Sequence, residues 1–138
     1  MGALTSIPTV TVGNPTKKSD YDNAISLVTY GATIDGSSGL TLTTSDIGKT
    51  VVVNSSSDRT VYLPSVDSSH IGATFIIWKL GAGKVTIDAA DSDTIMDSSA
   101  GGTIYNTGST EVWASLILRL ETATQWGIQG GVGTWTTT

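Results

Sequence analysis

Short runs in which apolar and hydroxyl side chains alternate recur along this chain, and they limit what it can fold into. Leu40-Thr41-Leu42-Thr43, Arg59-Thr60-Val61-Tyr62-Leu63 and Lys84-Val85-Thr86-Ile87-Asp88 are examples, each flanked by Gly, Ser, Asp or Pro. A period of two is that of a pleated strand with one face buried and one wet. Of 138 residues, 17 are Ser and 23 are Thr, while 11 Val and 12 Ile supply the stiff apolar partners. The hydroxyls therefore read as the outward half of two-faced strands and the β-branched aliphatics as the inward half. About nine short strands at roughly 8–12-residue spacing predict an all-β domain over residues 30–138, a compact antiparallel β-sandwich or barrel. No strict internal repeat is visible.

Turn residues place the strands. Lys49–Asn54 is followed by the polar loop Ser55-Ser56-Ser57-Asp58, and Pro64 stops the next strand because it lacks an N–H. Residues 65–72 read as a helical turn closed by Gly72. Ala73–Leu80 is apolar on both faces, the pattern of a central strand between two layers. The longest strand, Glu111–Glu121, sets Val112, Ala114, Leu116, Leu118 and Leu120 on one face, with Trp113 and Ile117 on the other. Thr124–Gln129 pairs back onto it. The beginning of the chain differs. Residues 1–18 form an extended arm in which Ile7-Pro8-Thr9-Val10-Thr11-Val12 alternates, closed by Gly13-Asn14-Pro15 and followed by Lys17 and Lys18. Residues 19–29 are the one plausible helix, capped by Ser19 or Asp20, with Tyr21, Ile25 and Val28 on one face.

Two-sided apolar strands in a chain with one short helix have too little to pack against. The outer sides of 73–80 and 111–120, with Ile76, Trp78, Trp113 and Ile117, are therefore expected to meet another subunit.

Composition removes most chemistry. No Cys means no disulfide, thiol nucleophile or Cys-based metal site. A net charge of -5 with seven scattered basic residues leaves no basic face for nucleic acid. No apolar run approaches the roughly 20 residues that span a bilayer. The N-terminus shows no signal-peptide pattern, so synthesis in a cytoplasm is expected. The single His70 stands in Asp67-Ser68-Ser69-His70 and reads as a turn histidine, since no Gly-x-Ser-x-Gly elbow accompanies it. Asp88, Asp91, Asp93 and Asp97 have the oxygen-rich density of a calcium loop, but the EF-hand spacing fails and loop carboxylates need no metal. Gly81-Ala82-Gly83 and Gly130-Gly131-Val132-Gly133 lack the helix of a phosphate cradle. No cofactor and no enzymatic activity are expected.

Two stretches carry a resemblance. Val10-Thr11-Val12-Gly13-Asn14-Pro15-Thr16-Lys17-Lys18-Ser19-Asp20-Tyr21-Asp22 resembles a segment of tailed-bacteriophage virion proteins that leads from an arm into the body. Ser45–Asn54, Val61-Tyr62-Leu63-Pro64, Ile71-Gly72-Ala73, Lys84-Val85-Thr86-Ile87, Thr94-Ile95 and Trp126 together resemble a β-module of phage fibre and head-surface proteins. The resemblance covers most of residues 8–130 at the level of pattern. It implies a non-enzymatic, homotrimeric component of the virion surface, either a capsid decoration or head-fibre protein or a tail fibre.

On that reading the arm, with Ile7, Pro8, Val10, Val12, Asn14, Pro15, Lys17 and Lys18, docks on the major capsid protein or another virion protein by adding a strand to its sheet edge. A chain that starts at Met and ends after one module is expected to be a decoration protein rather than a long fibre. The alternative is a receptor-binding module for host surface carbohydrate, with Tyr30, Tyr62, Tyr105 or Trp135 stacking on sugar. A free carbohydrate-binding module using the aspartate loop is a third reading.

Overall fold

Consecutive strands of this protein do not lie side by side. The computed structural model describes residues 32–138, whose compact unit is Thr33–Thr138. In chain order its strands are β1 (Thr33–Asp35), β2 (Leu40–Thr41), β3 (Thr50–Val53), β4 (Arg59–Tyr62), β5 (Thr74–Lys79) and β6 (Val85–Asp88). They continue as β7 (Thr94–Ile95), β8 (Thr103–Asn106), β9 (Ala114–Thr122), β10 (Gln125–Val132) and β11 (Thr136–Thr137). Sheet A has the order β1-β3-β5-β9-β10-β7, and sheet B the order β11-β8-β6-β4-β2. From β1 to β6 the chain crosses between sheets at every step. Neighbours within each sheet are therefore parallel, β1 to β3 to β5 and β2 to β4 to β6. β8 and β9 then reverse onto β6 and β5, and β10 completes a hairpin with β9.

The all-β expectation holds. The antiparallel expectation does not: both sheets are mixed, and neither closes into a barrel. A Gly- or Ser-rich turn shows that the chain reverses, not which sheet receives it. Ser55–Asp58 and Gly81–Gly83 carry the chain from sheet A to sheet B and stack on one another, with the Gly83 amide donating to the Ser55 carbonyl at 2.9 Å. A Cβ on Gly81 would lie 2.0 Å from the Ser55 oxygen, and one on Gly83 2.2 Å from that of Ser57, so both sites exclude side chains.

The coil contains a repeat that the sequence reading misses. Ile47-Gly48-Lys49-Thr50 and Ile71-Gly72-Ala73-Thr74 each follow a single 3₁₀ turn, Thr44–Asp46 and Ser68–His70. Both turns have reciprocal caps, Thr43 with Asp46 and Asp67 with His70. Gly48 and Gly72 sit at φ of 86° and 93°. Each donates its amide to the next strand of sheet A, to Thr74 O at 2.9 Å and Leu120 O at 2.8 Å. Register does not follow the repeat: Thr50 lies beside Ile76 rather than Thr74.

Inward residues form ladders: Ile34, Val51, Ile77 and Leu116 across sheet A, and Leu40, Val61, Ile87 and Ile104 across sheet B. Trp126 and Phe75 are fully buried between the sheets, ring centroids 5.8 Å apart. Each such buried side chain contributes about 1.5–3 kcal/mol relative to exposure. As expected, only Val85 and Ile87 of β6 are buried. The strand expected at Glu111–Glu121 begins instead at Ala114, because residues 112–113 form a turn. Val112 is consequently exposed rather than inward. The arm residues 1–18, the helix 19–29 and Tyr30 lie outside the described residues.

Candidate functional site

Among the described residues, sheet A is covered on one side by sheet B and open on the other. Two apolar cross-strand rows dominate its outer face, beside a third of Thr74, Arg119 and Gly127. Thr50, Ile76, Ile117 and Gly130 make one row; Val52, Trp78, Ser115 and Val132 make the second. Strand alternation forces this, since Val51, Val53, Phe75, Ile77, Leu116 and Leu118 take the inward positions. Trp113 rises from the turn before β9 and meets Trp78 edge to face, centroids 6.5 Å apart. Trp113 is 68% exposed, Val132 63%, Trp78 44%, Val112 42% and Ile117 36%. Ile76, Trp78, Trp113 and Ile117, the four residues expected at a subunit contact, thus share one continuous apolar surface. Val52 and Val132 complete it.

Trp113 has φ of 76°, a left-handed conformation that a bulky residue adopts only when its surroundings impose it. The imposing structure is a buried polar clasp. Lys79 occupies an inward position of β5 and is fully buried, its Nζ donating to Gly108 O at 2.7 Å and Gly81 O at 2.9 Å. The Trp113 amide donates to Lys79 O at 2.8 Å. Asn106, also fully buried, donates its amide to Thr134 O at 2.9 Å and to the Glu111 carboxylate. Glu111 accepts from the Thr134 amide and hydroxyl, both at 2.9 Å. Those Thr134 bonds, the Asn106 amide and the Lys79 charge hold the Glu111 carboxyl below its usual range. Burial lowers the Lys79 ammonium, and Glu111 opposes that shift. The clasp binds the turn bearing Trp113 to the loop at Thr134 between β10 and β11. Sequence reasoning missed it, although a Lys in phase with Phe75 and Ile77 was a usable signal.

Sheet B presents the opposite outer face. Its rows are Thr60, Thr86, Tyr105, Thr136 and Thr41, Tyr62, Asp88, Thr103. Tyr62 is 47% exposed and borders two open grooves of ≈ 380 and ≈ 460 Å³. Asp58 and Arg59 line one, and Asp88 and Asp91 the other. Of the remaining aromatic candidates, Tyr105 lies under the Lys84 ammonium, 4.3 Å from its centroid, and Trp135 packs on the core.

The aspartates weighed as a calcium loop, Asp88, Asp91, Asp93 and Asp97, do not converge. Asp91 accepts from Ser65 at 2.9 Å and Asp97 from Thr137 at 3.1 Å, on separate contacts. Asp93 is buried and its carboxyl is raised by burial and by Asp91; burial alone raises Asp88. Among the described residues no three acidic or histidine side chains gather into a metal-holding group. His70 is near both a Ser and an Asp, but its Nδ1 faces Asp67 at 3.0 Å and Ser69 at 3.4 Å alike. A proton relay needs them on opposite ring nitrogens, so this is a cap. No family model matches the chain, and no curated protein matches it.

Proposed function

We propose that this chain is a non-enzymatic structural subunit of a tailed-bacteriophage particle, a homotrimeric capsid decoration or head-fibre protein on the virion surface. It is joined to the major capsid protein or another virion protein through residues 1–18. The observation that carries this reading is the division of the outer surface. One sheet face is lined with hydroxyls and suits permanent contact with water. The other carries Trp78, Trp113, Ile117 and Val132 in the open, a contiguous apolar patch of the kind that marks an interaction surface. That is the surface of a part, not of a finished object. The segments that resemble phage β-modules support it further: Ile47–Val53, Val61–Tyr62, Ile71–Ala73 and Val85–Ile87 are the turns and strands of successive coils of one module.

The test is deletion of residues 1–18 followed by a particle-binding assay. Loss of attachment with the oligomer intact is expected, and retained attachment removes the proposal. A second reading, recognition of host surface carbohydrate, draws on Tyr62 alone, an exposed ring between two grooves lined by Asp58, Arg59, Asp88 and Asp91. Glycan binding that is abolished by Tyr62→Ala would favour it.

A further inference from the structure

We propose that the outer face of sheet A is turned toward the same face of a second copy of this chain, with Trp78 and Trp113 at the centre of the contact. This deepens the subunit reading above and rests on it. Three observations select this occupant.

The first is area. The exposed parts of Trp113, Val132, Trp78 and Ile117 add to roughly 400 Å² of apolar surface, taking a whole aromatic side chain as about 250 Å². A monomer's largest patch is about 300–600 Å², and a stable interface buries about 800 Å² on each partner. Thr50 and, at the β1 edge, Thr33 border the patch with polar side chains, as the rim of an interface does.

The second is charge. The two central rows contain no ionisable side chain. Asp35 at the β1 edge and the Arg119–Glu121 pair at the far end of β9 mark the borders of the neutral zone. Copies of a chain carrying -5 repel one another wherever their acidic surfaces meet, so a neutral face is where they approach at least cost. A basic partner would be drawn elsewhere, to Asp58, Asp88 and Asp91 around the sheet B grooves.

The third is shape and rigidity. Gly130 beside Ile117, and Ser115 between Trp78 and Val132, leave shallow gaps in the rows. Nothing lies within 4 Å of where a Cβ on Gly130 would sit. Trp113, held in its left-handed conformation by Lys79, Asn106 and Glu111, is a fixed projection on the same face. A face with both projection and gap is complementary to itself, about a twofold or around a shared threefold axis. Fixing the indole beforehand avoids the ordering cost that a mobile side chain would bring to association.

The experiment is sedimentation and light scattering of the full chain across micromolar concentrations, beside Trp113→Asn and Ile117→Lys. Asn tolerates the left-handed backbone, so the first variant removes the indole without reshaping the turn. The wild type is expected to be oligomeric and each variant to associate at least about thirty-fold more weakly. Wild-type acrylamide quenching needs no variant: tryptophan accessibility should rise on dilution in step with dissociation. A monomeric wild type, variants that associate as the wild type does, or dissociation with unchanged quenching would each overturn the inference. Particle attachment, read separately, can succeed or fail independently of these results.

Discussion

The two sheets of this protein share a core and a pleat, yet they end in opposite surfaces. On sheet B the outward row Thr60, Thr86, Tyr105, Thr136 is built of hydroxyl-bearing side chains. At the matching level of sheet A the row is Val52, Trp78, Ser115, Val132. Inward residues are interchangeable in character between the sheets, so folding places no different demand on the two. What separates the faces is therefore what each is for once the chain has folded.

Perturbations of decreasing size can break or sharpen this contrast. Leu118→Ala removes a fully buried side chain beneath both faces and should cost about 2–5 kcal/mol in chemical denaturation, damaging both surfaces together. If it weakened association while leaving stability intact, the shared core would be the wrong description. Lys79→Ala strips two part-buried carbonyls of their donor, empties a fully buried side-chain position and should cost about 2–3 kcal/mol. It should also loosen Trp113, visible as a shift in tryptophan emission, while the Tyr62 side is unaffected.

Glu111→Gln tests the same clasp through pH. The folded protein holds this carboxyl below its ordinary value of 4.5, so the ionised form contributes stability that is fully present above that value. It is lost as pH falls through the lower, folded value. Below pH 4.5 the wild type should lose stability more steeply than the Gln variant. Asp88 and Asp93, raised by burial, act in the opposite direction in both proteins and cancel in the comparison. The smallest change is Thr86→Val on sheet B, expected within ±0.5 kcal/mol and without effect on association. A new oligomer from that single methyl exchange would mean that the two faces differ less than their rows imply.

Much of this was legible in the order of residues. Period-two alternation located β3 to β6 and the inward sides of β6 and β9, because side-chain burial follows directly from the pleat. It also singled out Ile76, Trp78, Trp113 and Ile117, since apolar residues on both sides of a strand are a property of one segment alone. Three things were not readable. Parallel pairing depends on which sheet receives the chain after Ser55–Asp58 and Gly81–Gly83, a long-range choice that those loops do not encode. The Ile-Gly-x-Thr repeat is two short matches whose shared role, a glycine amide given to the next strand of sheet A, only the fold shows. The Lys79, Asn106, Glu111 and Thr134 clasp joins positions distant along the chain, and only the completed fold brings them together.

The alternating coil has a consequence for size. Each pass contributes one strand to each sheet and rests only on the pass before it, about 4.8 Å away. Duplicating the span from one Ile-Gly-x-Thr to the next would add one layer to both sheets. Inner ladders and outer rows would simply lengthen, provided that the new linker preserved the Gly81–Ser55 type of loop contact. The architecture behaves as a ruler whose length can be reset by inserting whole coils, with the reversed strands β8 and β9 serving as the stop at its end.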